Sequence, residues 1–210
     1  MRATGSRVIK QIQTGLILVL LSLAQNAWAQ LTSQQMRPYL SGMAVYVPQI
    51  DRRDAPGADT TDAGQGVQLG GGFALDEYFG LELSAFGTRF SSDDGGDIDE
   101  LGGKLDILFF YSRKPAFSPY FGLGIGAVET ALDAAEESST NAFTDVGLGL
   151  MRFFSLGGLD LGLRAEARYR RIFLDEDDLG AGGFSDPEEA VLRLGLVVPL
   201  GNKSQAARPE

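Results

Sequence analysis

Among the 210 residues there is no cysteine, no histidine and only one tryptophan. Without cysteine there can be no disulfide, thiolate metal site or thiol nucleophile. Without histidine there is no imidazole base or imidazole metal ligand. Basic residues are scarce: 18 Lys and Arg stand against 28 Asp and Glu, for a net charge of −10. That balance excludes nucleic acid as a partner, because phosphate contacts need clustered Lys and Arg. No apolar run beyond the N-terminal segment approaches the ~18 residues of a transmembrane helix. Glycine is the residue in excess, 28 of 210, against an ordinary share of about 7%.

The first 29 residues have the three parts of an export signal. Arg2, Arg7 and Lys10 come without an acid, Gly15 to Ala24 is apolar, and Ala27-Trp28-Ala29 is a small-x-small cleavage site. Cleavage is expected between Ala29 and Gln30. The apolar core is too short to cross a bilayer as a helix, which takes about 20 residues. The mature chain keeps 15 basic residues against 28 acidic ones, a net charge of −13.

Beyond Gln30 the pattern has a period of two. Eight segments alternate, at 38–48, 66–76, 79–90, 101–112, 119–128, 142–152, 159–171 and 189–200. In 159–171, Leu159, Leu161, Leu163, Ala165, Ala167 and Tyr169 oppose Asp160, Gly162, Arg164, Glu166, Arg168 and Arg170. In 119–128, Phe121, Leu123, Ile125 and Ala127 oppose Tyr120, Gly122, Gly124 and Gly126. Each segment has about the 9–11 residues that a tilted strand needs to cross a bilayer core. The connections alternate long and short, with long ones at 49–65, 91–100, 129–141 and 172–188. Pro56, Pro115 and Pro187 fall in connections, where no ladder donor is lost. The expected fold is all-β: a closed antiparallel up-and-down eight-stranded transmembrane β-barrel over 30–200, with a polar tail at 201–210.

The polar face decides which side points inward. A wet outer surface would carry Lys, Glu, Thr and Gln, whereas this face is mostly glycine with a few charges, and glycine weakens a solvated strand. In a narrow bore, small residues instead make room for large ones. Nine charges are expected inside: Glu82, Lys104, Asp106, Asp145, Arg164, Glu166, Arg168, Arg170 and Arg193, with a sum of +1. Such a balance implies pairing, since an unpaired buried charge costs several kcal/mol. The apolar face then meets lipid, and closure satisfies every backbone donor. A soluble ligand-carrying barrel is the competing architecture. Tyr39, Tyr46, Tyr78, Phe79, Phe110, Tyr111, Tyr120, Phe121, Phe153, Phe154 and Tyr169 lie near strand ends and are expected to form interfacial girdles.

The pieces PYLSGMAVY (38–46), EYFGLELSAF (77–86), SPYFGLGIGA (118–127) and LRAEARYRR (163–171) resemble the OmpA-type small outer-membrane barrels of Gram-negative bacteria. The resemblance covers about residues 36–200 and implies residence in the bacterial outer membrane. Its implied partners are membrane lipid, lipopolysaccharide and the barrel-insertion machinery. Many members of that family continue into a peptidoglycan-binding domain; this sequence ends at GNKSQAARPE, so wall anchoring is not expected. Members often end the last strand on an aromatic read by the insertion machinery, where this sequence has Leu200.

The four long connections hold 19 of the 28 acids and only two bases, Arg52 and Arg53. Asp93, Asp94, Asp97 and Asp99, and Asp175, Asp177 and Asp178, are candidate oxygen ligands for weakly held Ca²⁺ or Mg²⁺ or for an extracellular ligand. No EF-hand spacing is present, and a solvated, self-repelling loop surface is the competing reading. No cofactor and no catalysis are expected. Gly122-Leu123-Gly124-Ile125-Gly126 lies in a strand with no helix after it to cradle a phosphate. The acids lie in loops or beside arginines, which argues against a glycosidase pair. Two functional readings follow. One is a structural and interaction barrel whose bore is filled by paired charges. The other is a narrow ion or small-solute channel gated by those charges.

Overall fold

Large apolar residues alternating with glycine or charge build eight strands in the computed structural model, which describes residues 37–48, 63–91, 97–114, 116–132, 138–157, 159–173 and 188–200. The strands are β1 (Tyr39–Val47), β2 (Gly64–Ala74), β3 (Phe79–Phe90), β4 (Ile98–Phe110), β5 (Ser118–Leu132), β6 (Ser138–Leu156), β7 (Leu159–Phe173) and β8 (Glu188–Pro199). Each pairs antiparallel with its neighbours in sequence, and β1 pairs with β8 from Tyr39↔Pro199 to Tyr46↔Leu192. The result is a closed eight-stranded antiparallel β-barrel without a free edge.

Strand limits differ from the alternating segments for local reasons. β2 stops at Ala74 because the Asp76 carboxylate accepts the backbone N–H of Tyr78 and of Phe79, both at 2.7 Å, and so starts the turn. β6 runs from Ser138 to Leu156 instead of 142–152. Its first residues continue the ladder against β5 (Asn141↔Val128, Ser138↔Ala131), and its last continue it against β7 (Phe153↔Gly162, Leu156↔Leu159). Ladder hydrogen bonds thus carry the sheet past the apolar belt. At the resulting tight β6–β7 turn, Gly157 adopts a φ of 58°, the left-handed region that suits glycine.

The two faces segregate by parity. Leu69, Leu101, Ile125, Leu148 and Leu194 point outward, with Leu69 67% exposed, whereas the charged residues of the opposite parity are buried. An outward belt of Leu, Val, Ile and Phe around an interior of charge and glycine is the reverse of a soluble barrel.

Candidate functional site in the barrel lumen

β7 is the charged spine of the bore. Because strand side chains alternate, Arg164, Glu166, Arg168 and Arg170 all point inward while Ala165, Ala167 and Tyr169 point to the outside. Arg164 is bonded to Glu82 of β3 through Nη1 and to Glu166 Oε1 through Nη2, the latter at 2.6 Å. Two tyrosines complete this group. Tyr39 donates its hydroxyl to Glu82 Oε2 at 2.7 Å, and Tyr120 donates its own to Glu166 Oε1 at 2.5 Å. Arg168 reaches Asp145 at 3.2 Å, and Asp106 and Glu166 at 3.3 Å each. Lys104 lies 2.9 Å from Asp106 and 3.0 Å from Asp145, and Arg193 joins Glu166 at 3.1 Å to Asp145 at 3.3 Å. These eight charges are four acids and four bases, all fully buried, and their formal sum is zero.

The ninth expected charge, Arg170, stands apart toward the long-loop end. Its guanidinium lies against the rings of Phe86 and Phe143, 4.6 and 4.9 Å from their centroids. Its carboxylate neighbours are Glu189 at 3.5 Å and Glu100 at 3.7 Å. Neither acid is among the nine charges expected in the bore. Glu100 fell within the 91–100 connection, whereas β4 already begins at Ile98, and Glu189 was read only as the first residue of its segment. Parity was the available signal, since Glu100 is in step with Lys104 and Asp106, and Glu189 with Arg193. With both included, the interior charges among the described residues are six acids and five bases, so the expected sum of +1 becomes −1.

Apolar layers flank the charges. Toward the short-turn end, Tyr39, Leu108, Phe110, Tyr120, Met151 and Val197 pack together with Phe153 against them. Toward the long-loop end lie Val45, Val47, Phe90, Ile98 and Val191, and a second group of Phe86, Val128, Phe143 and Ile172. Four residues expected in the girdles, Tyr39, Phe110, Tyr120 and Phe153, therefore belong to the interior; each has the parity of an inward charge on its own strand or of its cluster partners. Tyr46, Tyr78, Phe79, Tyr111, Phe121, Phe154 and Tyr169 do face outward. Phe79, Phe109 and Phe121 form a lateral ladder at 5.2 and 6.0 Å near the turns.

At the short-turn mouth, Arg113 stacks on Phe110 at 3.8 Å and donates to the carbonyls of Glu77 and Phe79. Burial lowers its pKa to about 10, opposed by Tyr39 and Asp76, so it keeps its charge at neutral pH. Arg37 pairs with Asp160 at 2.6 Å at the same rim.

Of the candidate cation ligands, Asp93, Asp94, Asp175, Asp177 and Asp178 lie outside the described residues. Asp99 is engaged by Arg89 in a two-pronged pair, 2.6 Å on each prong. Among the described residues, Asp97 included, no three or more carboxylates are grouped to hold a metal ion.

The family model described as the outer membrane protein beta-barrel domain matches residues 15–198. Among solved structures, Neisserial surface protein A is 13% identical, with 78% of this chain and 97% of that one covered and a TM-score of 0.53. The outer membrane protein OprG from Pseudomonas aeruginosa is 14% identical, with 80% and 99% covered and a TM-score of 0.45. Ail, the attachment invasion locus protein of Yersinia pestis, is 17% identical, with 78% and 97% covered and a TM-score of 0.44. At 13% identity the likeness to Neisserial surface protein A is one of fold. No curated protein matches the chain.

Proposed function

The chain belongs to the outer-membrane β-barrel family, and from that premise we propose that it is a closed barrel that anchors and displays loops, neither conducting nor catalysing. The observation that carries this reading is the neutral group of eight buried charges, set between apolar layers toward both ends of the bore. A hydrated ion entering such a bore would have to lose water in an apolar layer and then displace a partner from a paired charge. Both steps are costly. The lumen therefore acts as a rigid plug, and the outward Leu, Val and Phe hold the wall in lipid.

In this reading residues 1–29 are removed on export, the long acidic loops face outside the cell, and the barrel-insertion machinery assembles the sheet. The loops would meet lipopolysaccharide phosphates through shared divalent cations, or an extracellular ligand. The test is planar-bilayer conductance of the chain from Gln30 onward, refolded and checked for closure by its unboiled-versus-boiled gel shift. Silence from folded protein supports the plug. Discrete steps that disappear on heat denaturation would make the charge network the gate of a narrow channel.

A further inference from the structure

β2 differs from the other strands in what it places inside the barrel. Its inward positions are Gly64, Gly66, Gln68, Gly70, Gly72 and Ala74, so Gln68 is its only inward side chain beyond a methyl group. Its neighbours supply small hydroxyls at matching levels. Ser41 of β1 and Ser84 of β3 flank Gly70, and Thr88 of β3 is paired with Gly66. These side chains are all buried, Gln68 completely. Ser41 Oγ, Ser84 Oγ, Thr88 Oγ1, both amide atoms of Gln68 and Glu82 Oε1 have no hydrogen-bond partner among the described residues. Two of them converge over one glycine: a Cβ at Gly70 would stand 2.9 Å from Ser41 Oγ and 3.2 Å from Glu82 Oε1.

Orphaned buried polar atoms in such number need a partner, and their chemistry says which. Three hydroxyls and an amide both donate and accept, and they carry no charge. The one carboxylate oxygen belongs to Glu82, whose charge is already met by Arg164. The group suits water better than an ion, since a buried water typically makes about three hydrogen bonds to such atoms. From the level of Gly66 to that of Gly70 is on the order of 13 Å along a strand, the length of a short file of waters.

We propose that the inner face of β2 is a water-holding track running beside the charge network, lined by Ser41, Gln68, Ser84 and Thr88 and closed at its ends by Tyr39 and Phe90. A Cβ at Gly64 would enter the Phe90 ring, and one at Gly72 would meet Tyr39 at 2.5 Å, so each ring lies directly on the glycine face. Each also belongs to an apolar layer, and an apolar constriction blocks a water file by dewetting. The track borders the charge network along β3 and shares Glu82 with it, but its ends are closed by the rings rather than by ion pairs.

This inference rests on the reading of the wild-type bore as closed. Two gates in series make a non-additive prediction. In proteoliposomes carrying an entrapped pH dye, wild type, Tyr39→Ala and Phe90→Ala should each match protein-free vesicles in proton flux after a pH jump. The double variant should exceed them, and adding Gln68→Leu should return it to background. Closure of every variant is checked by the gel shift. Flux through wild type would overturn the closed-bore reading. A silent wild type with a silent, folded double variant would overturn the track alone. A measurement on unmutated protein guards against variants that do not fold. In detergent micelles, water magnetisation should reach the ¹⁵N-labelled side-chain amide of Gln68, assigned by its loss in Gln68→Leu. A dry amide would also overturn the proposal.

Discussion

Tyr120 and Glu166 lie on strands separated by β6, yet the Tyr120 hydroxyl donates to Glu166 Oε1 at 2.5 Å and accepts from Arg164 Nε at 2.8 Å. The residue between them in register is Gly149, paired with Tyr120 on one side and with Glu166 on the other. The tyrosine ring lies across this glycine; a Cβ there would stand inside the ring. One missing side chain thus lets a phenol bridge two strand spacings to an ion pair.

Two substitutions separate the bond from the space it needs. Tyr120→Phe keeps the ring but removes the hydroxyl that serves Glu166 and Arg164, and should cost about 1–3 kcal/mol. Gly149→Ala keeps the hydroxyl but pushes the ring aside, and overpacking of this kind costs a similar ~1–3 kcal/mol. In the double variant the penalties should sum to less than the two single costs, because the displaced ring no longer has a hydroxyl to misplace. Urea midpoints, read from the folded and unfolded gel bands in lipid vesicles, give all three values.

Glu166, like Asp145, meets three bases of the bore, with Arg164, Arg168 and Arg193 all within 3.3 Å. Glu166→Ala leaves three guanidiniums competing for the remaining acids and should destabilise the barrel by about 3–5 kcal/mol. Glu166→Gln retains an oxygen acceptor and should cost less. Both variants should remain silent in a planar bilayer, since neither alters the apolar layers. Conductance steps from folded Glu166→Gln would show that the ion pairs alone hold the bore shut.

Much of this arrangement can be read from the alternation itself. In 159–170 every charged residue has one parity and every large apolar residue the other, which assigns Arg164, Glu166, Arg168 and Arg170 to one face before any fold is known. Glycine on the same parity in 119–128 identifies that face as the crowded one. The residues that the alternation alone does not place are those where composition and parity point in different directions. Glu100 follows Asp97-Ile98-Asp99, a stretch that reads as a polar loop, although Ile98 and Glu100 are in step with Lys104. Tyr39, Phe110 and Tyr120 sit near strand ends, where aromatics are expected to face lipid, yet their parity is that of the interior. Pairings across the lumen, such as Arg164 with Glu82, depend on three-dimensional register and leave no local trace.

The Arg89–Asp99 pair offers a contrast with the interior. Its geometry is as good as any in the bore, two prongs at 2.6 Å, but its side chains are 60% and 41% exposed. Water and salt screen such a pair, and its ordering cost offsets the attraction. Arg89→Ala should therefore leave the urea midpoint within error of wild type at 0.15 M salt, a concentration at which screening acts over about 8 Å. A shift comparable to that of Glu166→Ala would mean that the pair does more than decorate the rim.

Arg193 and Leu194 are chain neighbours that face opposite media. Arg193 is buried and paired with Asp145 and Glu166, whereas Leu194, 63% exposed, stands midway along β8 on the lipid side. Moving the charge by one residue should therefore be costly in both directions. Leu194→Arg places a guanidinium near the middle of the apolar belt, where the penalty is about 2–4 kcal/mol. A lysine at the same position can extend its amine toward the interface, and should cost no more than the arginine. Arg193→Leu instead removes a cation from two buried carboxylates and should also lower the midpoint. Folding into vesicles with thinner bilayers separates the two causes. Thinning brings position 194 closer to the headgroups and should reduce the penalty of Leu194→Arg, but it leaves the lumen unchanged and should not rescue Arg193→Leu. Rescue of both by thinning would mean that residue 193 also meets lipid, contrary to the inside-out arrangement of the barrel.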